Sequence, residues 1–102
     1  MGDWQLLSNH GRVLVFVARD PGARLRDIAD GVGITERSAH RIVSELCDGG
    51  YVRRERQGSR NRYTIQPDVP IPDPLLGDHS VGEILAVVAP IDELAPTRLR
   101  LR

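Results

Sequence analysis

The sequence predicts a mainly α-helical domain that carries a small β-hairpin. Apolar residues recur at helical spacing in three separate segments, and two short extended segments flank a polar loop that contains glycine. The chain has 102 residues, of which 40% are hydrophobic and 27% charged, as expected for one soluble globular domain. We expect a domain over residues 1–66, a proline-rich acidic linker over 67–80, and a C-terminal helix and tail over 81–102.

The first helix is predicted over residues 9–19, with the sequence NHGRVLVFVAR. Asn9 is its candidate N-cap, and the turn sequence DPG follows it. The six consecutive apolar residues within it also suit a strand, but the helices that follow favour a helix. A segment this apolar has to bury more than one face.

Two further helices are predicted on either side of a glycine. The first, at residues 25–32, has one apolar stripe made of Leu25, Ile28, Ala29 and Val32. Gly33 follows as a residue able to take a positive φ, and Thr35 is the candidate N-cap of the next helix. That helix covers residues 36–48 and is expected to turn four residues inward: Ala39, Ile42, Val43 and Leu46.

The rest of the chain predicts a hairpin, a strap and a last helix. The strands are expected at Tyr51–Arg56 and Arg62–Gln66, with Gln57–Asn61 as their loop. Four prolines in residues 67–77 exclude a helix and predict an extended strap or linker. The sequence SVGE at 80–83 has the form of a capping box and opens a helix that Pro90 ends, before a frayed tail at 91–102.

The spacing over residues 25–44 is that of a helix-turn-helix. Ala29 supplies the small residue where the second helix crosses the first, and Gly33 supplies the turn. With the hairpin added, the order is helix-helix-helix-strand-strand, which is the winged-helix order. The stretch DIADGVGITERSAHRIVSELCDGGYVRRERQGSRNRYTI resembles winged helix-turn-helix transcriptional regulators of the MarR and ArsR type, over roughly residues 9–66.

The resemblance implies a regulator that binds double-stranded DNA. Helix 36–48 would read the major groove, and the arginine-rich wing 53–62 would contact the backbone or the minor groove. The candidate contacts on the helix are Thr35, Glu36, Arg37, Ser38, His40, Arg41 and Ser44. Those in the wing are Arg54, Arg56, Arg60 and Arg62. Arginines on a helix face are often merely solvated, but five arginines against one acid in ten wing residues exceed what solubility needs.

The charge distribution leaves a second function open. The formal net charge is zero, and residues 67–97 contain six acids and neither lysine nor arginine. The alternative to DNA binding is therefore a winged-helix protein–protein interaction module that binds an acidic partner. We expect the acidic segment to lie away from DNA in either case.

The apolar first helix and the last helix also predict contact between subunits. A homodimer would read two half-sites about 34–36 Å apart, and it would multiply the few phosphate contacts that one small domain makes. The alternative is that the last helix folds back on its own domain. The candidate dimer residues are Val13, Phe16, Val17, Val81, Ile84, Leu85 and Val88.

Other classes of function have little support. We find no paired carboxylates, nucleophile motif or phosphate-binding loop, and therefore predict no enzyme and no cofactor. The three histidines are far apart, so no metal site is expected, and Cys47 is expected to be a packing residue, with a redox-sensing thiol as the alternative. Without a long apolar run or a signal peptide, and with one cysteine, we expect no membrane contact and a cytoplasmic location. No small-molecule effector can be named.

Overall fold

The computed structural model describes residues 5–88, so Pro90 and the tail at 91–102 lie outside it. The order of elements confirms the predicted fold class, a mainly α winged helix with one hairpin. The elements are α1 (Asn9–Arg19), α2 (Leu25–Val32), α3 (Glu36–Asp48), β1 (Val52–Gln57), β2 (Arg60–Ile65) and α4 (Val81–Val88). In the described part of the chain, no helix is both long enough and apolar enough to span a bilayer.

Two hydroxyl side chains begin the first and third helices. The cap of α1 is Ser8, whose Oγ accepts from the Gly11 amide at 3.2 Å; Asn9, expected as the cap, is instead the first helical residue. Thr35 caps α3 as predicted, because its Oγ1 accepts from the Ser38 amide at 3.0 Å. Each bond pairs one of the amides that a helix N-terminus leaves without a partner.

Glycines with a positive φ make the turns on either side of α3. Gly33, between α2 and α3, has φ 84° as predicted. After α3, Gly50 has φ 86°, and its amide donates to the Cys47 carbonyl while the Tyr51 amide donates to the Leu46 carbonyl. This pair of bonds is a Schellman motif, which ends α3 and directs the chain into β1.

The hairpin turn is tighter than the predicted loop at 57–61. Strand pairing runs from Val52 with Ile65 to Gln57 with Arg60, so Gly58 and Ser59 alone form the turn. Gly58 has φ 65°, whereas Ser59 has a negative φ, because within residues 5–88 only glycines have a positive φ. A two-residue hairpin turn with a positive φ at its first residue alone is a type II′ turn. The predicted loop was too long because the polar residues Gln57 and Arg60 were assigned to it. Polar side chains are also ordinary in the strands at the exposed outer end of a two-stranded hairpin.

One hydrophobic core joins all the elements. Its largest fully buried side chains include Ile28 of α2 and Ile42 of α3. The four residues of α3 expected to point inward are buried, and in β2 Tyr63 and Ile65 are buried as the predicted alternation requires. Because the inward side of α3 is used entirely for this core, its opposite side is left for solvent or a ligand.

The proline-rich segment is a closed loop and not the extended strap that was predicted. The Val81 amide donates to the Val69 carbonyl at 2.8 Å, and the Ile71 amide donates to the His79 carbonyl at 3.0 Å. Residues 69–71 therefore run antiparallel to residues 79–81, and the chain returns to where it left the domain. We call residues 67–80 the proline loop.

Helix α4 packs on its own domain, which was the alternative to an exchange between subunits. The capping box is formed, since the Ser80 amide donates to Glu83 Oε1 at 2.7 Å. The Gly82 amide donates to the Pro67 carbonyl at 2.9 Å, and a Cβ at Gly82 would lie only 2.6 Å from Pro67 Cβ. Helix α4 also packs against α1.

The packing of α4 on its own domain divides the expected dimer residues by their burial. Four of the seven lie in the chain's own core and offer no surface to a second chain in this arrangement: Val13, Val17, Val81 and Leu85. Phe16 is half-buried. On α4, Ile84, Val87 and Val88 keep 39%, 77% and 41% of their surface exposed.

Candidate nucleic-acid interface

The outer side of α3 contains the seven candidate contacts that the sequence predicted on this helix. Five are exposed, and Ser38 and Ser44 are half-buried. The exposed five are Thr35, Glu36, Arg37, His40 and Arg41. The first turn of the helix, where the amides point outward, belongs to the same surface.

A further arginine, which sequence reasoning missed, lies next to this surface. Arg26 of α2 approaches Glu36 at the start of α3, with 3.8 Å between Nε and Oε2, and its side chain is 73% exposed. The first helix of a helix-turn-helix crosses the DNA backbone, so an exposed arginine at the start of α2 was a signal available from the sequence.

Near the other end of α3, Glu45 contacts two basic side chains. Its Oε1 lies 2.7 Å from His10 Nε2 of α1 and 3.4 Å from Arg41 Nη1. The hydrogen bond with His10 holds the pKa of the Glu45 carboxyl below its usual value, and the charge of Arg41 acts in the same direction. The spacing of Arg41 and Glu45, one helical turn apart, was a signal in the sequence. The contact with His10 was not, because it depends on how α1 crosses α3.

The wing, strands β1 and β2, divides its arginines between two faces. Residues paired across an antiparallel ladder share a face, and faces alternate along each strand. Arg54 is paired with Tyr63, and Arg56 is on the same face of the hairpin. Tyr63 and Ile65, also on this face, are buried in the core. The opposite face includes Arg60 and Arg62. All four predicted wing contacts are exposed, but they do not form one patch.

The wing is held against the turn between α1 and α2. The Tyr63 amide donates to the Pro21 carbonyl at 2.9 Å, and the Arg60 guanidinium donates to the Gly22 carbonyl. Arg60 therefore stabilises the position of the wing, a role that the sequence did not indicate.

Cys47 is half-buried near the end of α3, as a packing residue would be. Burial raises the pKa of its thiol, although the charge of Arg54 opposes this. A raised pKa leaves less of the reactive thiolate and so disfavours the redox-sensing alternative. Within residues 5–88 no three histidine, cysteine or carboxylate side chains are grouped as they would be around a metal ion.

A cleft of about 460 Å³ lies between α1, the end of α3, the proline loop and α4. Its lining is mostly apolar, with Glu45 and His10 at one side. None of the seven candidate contacts on α3 lines it. The cleft and the outer side of α3 are therefore separate surfaces that share Glu45 as a neighbour.

Comparison with known proteins assigns the family and the fold. The sequence model of the MarR family matches residues 4–62, more than half of the chain. The structure resembles the crystal structure of a MarR family transcription regulator with a TM-score of 0.52 and 19% identity, over 94% of this chain and 56% of that one. At this identity the likeness shows the fold alone, and the present chain spans little more than half the length of that protein. No curated protein matches the sequence.

Proposed function

This chain belongs to the MarR family, and from that premise we propose that it is a DNA-binding transcriptional regulator. The observation that carries the proposal is the outer side of α3, where Arg37, His40 and Arg41 are exposed beside an arginine-rich wing. A helix packed by one side and basic on the other is the element that enters the major groove in helix-turn-helix proteins.

Each part of the surface suits one kind of contact. Arg37 and Arg41 have the donor geometry for bidentate bonds to guanine. Thr35, Ser38 and the amides of the first turn suit a phosphate, and Arg26 suits the neighbouring backbone. Glu36 repels phosphate, so its part is to hold Arg26 in place.

The wing would contribute contacts that do not depend on sequence. Arg54 and Arg56 on one face, and Arg60 and Arg62 on the other, would contact the backbone or a narrow minor groove. Because one DNA strand meets one face of the hairpin, we infer that the two pairs contribute unequally.

We further propose that the regulator acts as a homodimer through the outer side of α4. Ile84, Val87 and Val88 form an apolar surface there together with Leu76 of the proline loop. Two copies joined in this way would present two recognition helices to two half-sites, which adds phosphate contacts and affinity.

The proposal is tested by titrating the protein with mixed genomic duplex DNA at several salt concentrations, with fluorescence anisotropy as the readout. We expect binding that weakens steeply with salt and is weaker still in Arg41→Ala. Arg19→Ala is the matched control, because Arg19 is an exposed arginine at the end of α1, outside the proposed surface. Absence of binding at low salt would overturn the proposal in favour of an acidic protein partner.

A further inference from the structure

Glu45 lies between the first helix and an arginine proposed to read bases. The same carboxylate oxygen, Oε1, contacts His10 of α1 and Arg41 of α3. Building on the proposed DNA-binding function, we propose that Glu45 is a positioning residue, fixed by His10, that holds the Arg41 guanidinium and so favours sequence-selective over non-selective binding.

The contact with His10 distinguishes this pair from an ordinary surface ion pair. A glutamate and an arginine one helical turn apart usually contribute a few tenths of a kcal/mol, because both side chains lose freedom to meet. Here the glutamate is already held at 2.7 Å by a side chain of α1, and α1 is fixed by the buried Val13 and Val17. The carboxylate therefore has a defined position before Arg41 contacts it.

The wing offers an internal comparison. Glu55 approaches Arg53 at 3.8 Å on the same exposed strand. Within residues 5–88, Glu55 forms no ion pair or hydrogen bond with a side chain of another element, although Arg62 of β2 lies opposite it in the ladder. A pair of this kind is free to open when phosphate competes for the arginine, whereas the Glu45 pair is supported from a second helix.

Two consequences for DNA binding follow from the position of Glu45. An arginine held in one orientation loses less conformational entropy when it meets a base of the right geometry. The negative charge of Glu45 also disfavours any pose in which Arg41 merely contacts phosphate, because the carboxylate then approaches the backbone. A repulsive element that penalises the wrong complex raises specificity at some cost in affinity.

The test compares Glu45→Gln with Glu55→Gln, which removes the same charge from a glutamate that does not contact Arg41. The affinity of each variant is measured for mixed duplex DNA and for a duplex that the wild-type protein selects from a random pool. We expect both to bind mixed DNA more tightly, because a negative charge is lost near phosphate. Only Glu45→Gln should reduce the ratio of selected to mixed affinity, by at least about fivefold, the lower end for one base contact. Equal ratios in the two variants would overturn the proposal.

The role of His10 is tested without changing the charge of Glu45. His10→Ala should lower the same ratio, and His10→Gln, which keeps a hydrogen-bond donor, should restore part of it. An unchanged ratio in His10→Ala would show that α1 does not position Glu45.

A measurement without DNA separates this proposal from the proposed function. In the free protein, the guanidinium ¹⁵N signals of Arg41 should show restricted rotation, lost in Glu45→Gln and kept in Glu55→Gln. If the protein binds no duplex but Arg41 is restricted in this way, the regulator proposal fails and the contact stands. If Arg41 rotates freely in the wild type, the positioning role is wrong whatever the protein binds.

Discussion

The ring of Phe16 in α1 occupies the space into which a side chain at Gly31 of α2 would project. A Cβ at Gly31 would overlap Cε2 of that ring, and Phe16 is half-buried. The first two helices thus meet at a glycine, and the aromatic residue that the sequence suggested for a dimer contact covers a neighbouring helix of the same chain.

This contact predicts opposite effects for two helical glycines. Gly31→Ala should destabilise the protein by about 1–3 kcal/mol, because the ring has to leave its position. Gly11→Ala, where the added Cβ meets its nearest atom at an ordinary 3.6 Å, should gain up to about 1 kcal/mol of helix propensity. Urea unfolding measures both. A stabilised Gly31→Ala would show that the ring moves aside without cost.

Arg41 and Arg62 should differ in the kind of binding that they lose. Arg41→Ala should change the preferred sequence, because a base contact disappears. Arg62→Ala should weaken binding to every sequence and reduce the salt slope by about one unit, because a phosphate contact disappears. Binding to duplexes of different sequence at several salt concentrations separates the two effects. The division of roles is wrong if both variants shift sequence preference alike.

Arg60 has to be tested with a stability control. Arg60→Ala removes the donor to the Gly22 carbonyl as well as any phosphate contact. We expect it to lower the free energy of unfolding by about 0.5–1.5 kcal/mol, the usual contribution of one hydrogen bond, and to weaken DNA binding. Thermal unfolding should show no comparable loss in Arg62→Ala. Equal stability of the two variants would mean that the Gly22 contact contributes nothing.

The apolar surface of α4 predicts the effect of one charge on assembly. Val87 is 77% exposed, so Val87→Asp should leave the core intact while placing a charge on the proposed interface. Light scattering with size exclusion should show the wild type as a dimer and the variant as a monomer. Gln57→Glu, which also adds a negative charge but at an exposed residue of the wing, is the control and should remain dimeric. A monomeric wild type would exclude this interface.

The contact between His10 and Glu45 predicts a dependence of stability on acid. Because the hydrogen bond lowers the pKa of Glu45 in the folded protein, its contribution is fully present above the ordinary value of 4.5 and disappears as the pH falls through the folded pKa. The difference in free energy of unfolding between the wild type and His10→Ala should therefore shrink as the pH is lowered from 6 toward 2. Denaturation curves at several pH values that stay equally separated would contradict this.

Local signals explain what could be predicted from the sequence. Gly33 and Thr35 specify the turn and the start of α3 through their own conformations, and the inward positions of α3 follow from helical spacing. The proline loop was missed because its closure depends on bonds from Val81 and Ile71 to distant carbonyls, which have no side-chain signature. The contact between Glu45 and His10 was missed because the packing of α1 on α3 decides which side chains meet. Arg26 was available from the sequence as an arginine at the start of α2, but its contact with Glu36 depends on how α2 packs on α3.

The closed form of the proline loop has a practical consequence for protein engineering. Backbone hydrogen bonds join Val69 to Val81 and Ile71 to His79 at the base of the loop. These bonds set the distance between the two ends of the loop, whatever the length of the segment that connects them. The entropy cost of closing a loop grows only slowly with its length. The exposed tip around Leu75 is therefore the place to insert an epitope or a dye-labelling tag with least disturbance to the basic surface.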